Sequence, residues 1–80
     1  MRLDDNIINE LQGYYEAATV KHPKLKLIPD RLLYMVEEVG EAVKEYNDMD
    51  YEPVTARGNF RAELFQVAVT ALRIIEENEI

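Results

Sequence analysis

The chain has 80 residues, enough for one domain that buries only about 60% of the surface its unfolded form exposes. It contains no cysteine, so disulfides and thiolate-bound zinc are excluded and self-association is the expected source of extra stability. A net charge of -7 argues against binding nucleic acid over a broad surface, and no apolar run approaches a membrane span. The opening Met1-Arg2-Leu3-Asp4-Asp5 lacks the charged-then-apolar order of a signal peptide, and a soluble, cytoplasmic chain is expected.

Three helical patterns follow, separated by segments that hold all three prolines. The first is predicted over 5–20: Ile7, Leu11, Tyr14, Tyr15 and Ala18 repeat at three- and four-residue spacing, with Asp4 or Asp5 as N-cap. Lys21 to Pro29 ends it, because each proline disfavours helical geometry in the residue before it, and its lysines make a basic loop. His22, the sole histidine, reads as a solvated loop residue.

The second helix is predicted over 30–47, capped by Asp30. On a helical wheel Leu32, Val36, Val39 and Val43 share one arc, which reads as the core face, and Glu38, Glu41 and Glu45 lie nearly opposite. An acidic stripe opposite an apolar face is ordinarily just solvated. The segment 48–58 reads as a loop. Its Asp48-Met49-Asp50 is no calcium loop, because Pro53 stands where the sixth position needs glycine.

The third helix is predicted over 59–78. Phe60, Leu64, Val67, Ala71, Ile74 and Ile75 form one apolar face, and Phe65, Ala68, Val69 and Leu72 widen it. Only Glu63, Gln66, Thr70, Arg73 and Glu77 make a polar strip. A helix apolar over more than half its circumference is packed on two sides, so a partner subunit is expected.

Glu38 and Glu41 are three apart on one helix, as are Glu63 and Gln66 on the next, so antiparallel packing brings the two pairs together. Three carboxylates and an amide oxygen are hard ligands suited to Mg²⁺, or Mn²⁺, and such half-open magnesium sites usually meet substrate phosphates. Lys44, Arg57 and Arg61 are candidate phosphate-binding cations. Tyr14, Tyr15 and Tyr34 are candidates for stacking on a base, although aromatics at stripe spacing are more often core.

The pattern Glu37-Glu38-x-x-Glu41, a spacer over positions 42–62, then Glu63-x-x-Gln66, resembles the signature EExxE…ExxD of the MazG-type all-α nucleoside triphosphate pyrophosphohydrolases, relatives of dimeric dUTPases and dCTP pyrophosphatases. The first block matches fully, including a glycine, Gly40, before its last glutamate. Gln66 stands where that family has aspartate. The resemblance implies an all-α subunit of three helices that forms a four-helix-bundle type core as a homo-oligomer, dimer or tetramer. It implies metal ligation by Glu38, Glu41, Glu63 and Gln66, with Glu37 beside the site to position or activate water. The implied reaction is Mg²⁺-dependent hydrolysis of a ribo- or deoxyribonucleoside triphosphate to monophosphate and pyrophosphate. Many relatives continue into a fourth helix carrying further basic residues, so either a second subunit completes the phosphate site or the site is incomplete and the protein is not an enzyme. The competing expectation is a non-catalytic helical oligomer on the same scaffold, favoured by the charge missing at Gln66.

Overall fold

The computed structural model of the chain describes residues 2–23, 27–49 and 53–78, and side chains at all of these except 53–57. It contains three helices, α1 (Asp5–Lys21), α2 (Ile28–Asp48) and α3 (Pro53–Glu77), and no strand among the described residues. None of the three is long and apolar enough to cross a membrane. Asp4 caps α1, its carboxylate accepting from the backbone N–H groups of Asn6 at 2.8 Å and Ile7 at 3.3 Å. Two boundaries differ from expectation. α2 starts at Ile28, so Asp30 lies inside its first turn, where its charge faces the positive end of the helix dipole, and Pro29 fits because first-turn N–H groups need no partner. α3 starts at Pro53 for the same reason and runs through Gly58, whose weak helix preference delays the periodic signal to 59 without breaking the helix. The expected loop therefore shortens; the lysines at 24 and 26 lie outside the described residues.

α3 lies between the other two helices, which make no close backbone approach to each other. Arg31 pairs with Glu77, Glu38 with Thr70, and the Tyr46 ring with Phe60, an order that sets α2 antiparallel to α3. Glu10 pairs with Arg61, Tyr14 stacks on Phe65 with ring centroids 5.1 Å apart, and Ala18 meets Arg73, which sets α1 parallel to α3. α1 and α2 each cover part of α3's apolar surface within one chain, while Leu64 and Ile75 remain 49% and 48% exposed.

The interior of the α2–α3 pair is polar. Of the described residues that are buried, Ala42, Val69 and Ile74 are apolar, whereas Arg31, Glu38, Thr70 and Arg73 are not. α2's expected core face is turned to solvent: Val36 is 65% exposed, Val43 55%, Val39 45% and Leu32 44%. From α2's polar side Arg31 and Glu38 pack inward against the polar strip of α3, while Glu41 stays exposed and Glu45 half-buried. The wheel separated the two sides of α2, but the residues that turn inward come from the polar one. The physical reason is pairing. Thr70 and the arginines offer Glu38 and Glu77 hydrogen bonds that α3's apolar face does not, and no buried side-chain polar atom among the described residues lacks a partner.

Candidate functional site

Because α1 and α2 sit on either side of α3 without a close backbone approach to each other, a wedge opens between them. It is a cavity of about 430 Å³, within the size range of small-molecule sites. Glu38 and Glu41 reach it from α2, and Glu63 and Gln66 from α3. Arg31 and Arg73 line its other end, ten residues from Glu41 along α2, or about 15 Å at 1.5 Å per residue. Lys21 enters from α1, and Tyr14 and Tyr34 also line the space.

At the acidic end, Glu38 is 3% exposed, and the Thr70 hydroxyl lies 2.6 Å from its Oε1 and 2.9 Å from the backbone carbonyl oxygen of Gln66, one turn earlier on α3. One hydroxyl proton serves only one of those acceptors. Burial raises the Glu38 carboxyl above its ordinary 4.5, against the Thr70 hydrogen bond, and the neighbouring Glu41 charge adds to the rise. When Glu38 is protonated it donates to Thr70, and Thr70 is then free to donate to Gln66. Glu63 is raised as well, first by desolvation, then by the charge of Glu41 and the hydrogen bond they share, with Glu38 and Glu45 adding smaller amounts. None of the ion pairs among the described residues engages Glu38, Glu41 or Glu63.

These shifts predict a pH dependence. Both are upward, so the native state holds protons that the unfolded chain releases, and stability falls as pH rises from 4.5 through the raised native values. Glu10 works oppositely: the Arg61 hydrogen bond lowers it, so its contribution is present above 4.5 and lost as pH falls through its native value. Thermal melts in metal-free buffer are expected to show higher stability near pH 5 than near pH 8. Equal midpoints would show that the carboxylates carry no strain.

The cationic end is already paired. Arg31 donates through Nε and Nη2 to Glu77 at 3.1 and 3.0 Å. Arg73 donates to Glu77 at 3.1 Å and to the carbonyl oxygens of Ala18 and His22, closing the last turn of α1. Lys21 forms no ion pair with a described residue. Of the cations expected from sequence, Arg61 lies elsewhere, bound to Glu10 and over the Phe65 ring at 5.2 Å; Lys44 is exposed on α2 away from the cavity; the side chain of Arg57 lies outside the described residues. Glu37 is exposed and does not line the cavity. Tyr15 is engaged with Glu76, outside the wedge. Arg31 and Lys21 carried no sequence signal as cavity residues, because only the packing of α1 beside α3 brings them there.

The donor set suits a hard divalent cation: three carboxylates and an amide oxygen line one space, and two of the carboxyls are held above their ordinary range. The set is not closed. No three acidic or histidine side chains among the described residues stand close enough to hold a metal ion, and the Glu38 carboxylate is engaged by Thr70. No protein-family model, curated protein or solved structure matches this chain.

Proposed function

We propose that the chain is a divergent MazG-like domain that self-associates, binds Mg²⁺ or Mn²⁺ on Glu38, Glu41, Glu63 and Gln66, and hydrolyses nucleoside triphosphates to monophosphate and pyrophosphate. The observation that carries this reading is that those four side chains, from two helices, line one cavity whose far end is cationic. When bound, the cation would offset phosphate charge and lower the pKa of a coordinated water. The chain's own groups do the rest. Glu38 and Glu63 must first release the protons their burial favours, so binding is expected to strengthen with pH. Lys21 is the phosphate-facing cation, because Arg31 and Arg73 are held by Glu77. Tyr34, beside the carboxylates, is placed to flank a base. Glu37, from its exposed position next to Glu38, serves at most to orient water at the rim.

The test is pyrophosphate release on a panel of ribo- and deoxyribonucleoside triphosphates, with Mg²⁺, Mn²⁺ or EDTA. Metal-dependent release on at least one nucleotide is expected, and Gln66→Asp is expected to increase it by restoring the fourth charge. Absence of release from both proteins would sink the reading. Lys21→Ala is expected to raise KM more than it lowers kcat.

The second reading, a non-catalytic helical oligomer that acts as an interaction or regulatory protein, is favoured by the open donor set and by Glu77, which occupies the arginines. Nucleotide binding without turnover, or neither, would select it.

A further inference from the structure

We infer that Thr70 is a positioning residue for the divalent cation: its hydroxyl holds Oε1 of Glu38 against α3 and so presents Oε2 of the same carboxylate to the cavity. This assignment rests on the metal-binding part of the proposed function and adds a residue that is not itself a ligand.

The four side chains offered to the cation are not held alike. Glu41 is exposed and Glu63 and Gln66 are half-buried, whereas Glu38 is 3% exposed. A carboxylate taken that far out of water needs a hydrogen-bond donor, and among the described residues Thr70 is the one that supplies it. Thr70 is itself buried and follows Val69, which is 1% exposed, so the hydroxyl projects from a tightly packed part of α3. A side chain locked by packing in this way fixes the groups bound to it.

The geometry also tells which bond the hydroxyl makes to an ionised Glu38. A threonine inside a helix can give its proton to the carbonyl four residues back, and that of Gln66 lies 2.9 Å away. The Glu38 contact is shorter, at 2.6 Å, within the range of a charge-assisted O–H···O⁻ bond. The Gln66 carbonyl has the backbone N–H of Thr70 as its regular helical partner, so it loses little when the hydroxyl turns to the charge.

A carboxylate has about four lone-pair sites, and a hydroxyl on one oxygen leaves the other oxygen whole. No buried side-chain oxygen among the described residues lacks a partner. Oε2 has none among them, and therefore opens on the cavity that Glu38 lines. A ligating carboxylate that is itself hydrogen-bonded keeps its orientation before the cation arrives. Glu38 is then the fixed point around which Glu41, Glu63 and Gln66 close.

Mn²⁺ alone is the probe, its binding followed by electron paramagnetic resonance of the free ion with wild-type protein, Thr70→Ser and Thr70→Val. Serine keeps the hydroxyl and valine keeps the shape. Thr70→Val is expected to bind Mn²⁺ roughly ten- to a hundred-fold more weakly, with Thr70→Ser close to wild type. Equal affinity in wild type and Thr70→Val overturns the assignment and leaves the metal site standing. Equal weakening in both variants overturns it as well, because packing and not the hydroxyl would then set the affinity. No Mn²⁺ binding by wild type removes the metal site and this inference with it.

A second measurement uses the wild-type protein only, and so holds even where Thr70→Val does not fold. A hydroxyl bound to a buried carboxylate exchanges slowly and gives a proton resonance of its own. Titration with diamagnetic Mg²⁺ is expected to shift that resonance and to keep it. Its absence before metal is added, or its disappearance at saturation, overturns the assignment: the hydroxyl would then not hold Glu38, or Glu38 would leave Thr70 to reach the cation.

Discussion

Replacing Glu77 with alanine is expected to destabilise the chain by about 3–5 kcal/mol, the usual cost of removing one partner from a buried charge cluster. Glu77 accepts from Arg31 and Arg73 together, and those side chains are only 6% and 4% exposed. Its loss takes the carboxylate from two guanidinium groups that are out of water, a far larger penalty than breaking an exposed pair such as Arg61–Glu10. The damage spreads to α1. Arg73 holds the carbonyl oxygens of Ala18 and His22, so a displaced guanidinium frees the last turn of that helix. For a domain of this size total stability is about 5–15 kcal/mol, and a loss of this order unfolds a large share of the population. Urea denaturation followed by circular dichroism measures it. The triple change Arg31→Met, Arg73→Leu and Glu77→Leu is expected to recover most of the loss, because a well-packed apolar substitute for a buried ion cluster is often neutral or better. A Glu77→Ala protein with an unchanged midpoint would show that the cluster is solvated in solution.

What was legible in the sequence was periodicity, and what was not was partnership. The three helices, the Asp4 cap and the alignment of Glu38 and Glu41 with Glu63 and Gln66 follow from local spacing, and the structure places those four residues on one cavity. The direction α2 faces does not follow. An apolar stripe shows which side of a helix avoids water, without showing whether its cover lies in the same subunit; here Glu38 and Arg31 turn inward because Thr70 and Glu77 meet them from α3. Arg31 was illegible for a related reason. Its partner Glu77 lies 46 residues away, and no local pattern links the two. Arg61 shows the same limit, since α3 carries it around to face Glu10 instead of the cavity.

Glu38→Gln is expected to move stability and activity in opposite directions. The substitution keeps the shape of the side chain and leaves an amide oxygen to accept from Thr70, so the contact across α2 and α3 survives. It removes a carboxylate whose charged form is disfavoured by burial and by Glu41, and so relieves strain present above the ordinary carboxylate range. A gain on the order of 1 kcal/mol at pH 8 raises the melting temperature by roughly 4–8 °C for a chain of this length. The gain should vanish below pH 4.5, where native and unfolded carboxyls are both protonated. Under the proposed function the same change removes a metal ligand, and metal-dependent pyrophosphate release is expected to fall roughly a hundred- to a thousand-fold, as for other groups that stabilise developing charge. Added Mg²⁺ then discriminates further, raising the melting temperature of the wild-type protein at pH 8 and not that of Glu38→Gln, because a ligand stabilises only the state that binds it. A variant that is both less stable and equally active would mean that Glu38 is a structural hydrogen-bond acceptor alone. Under the proposed function, Glu38 is a carboxylate kept at a cost to the fold for the cation it would bind.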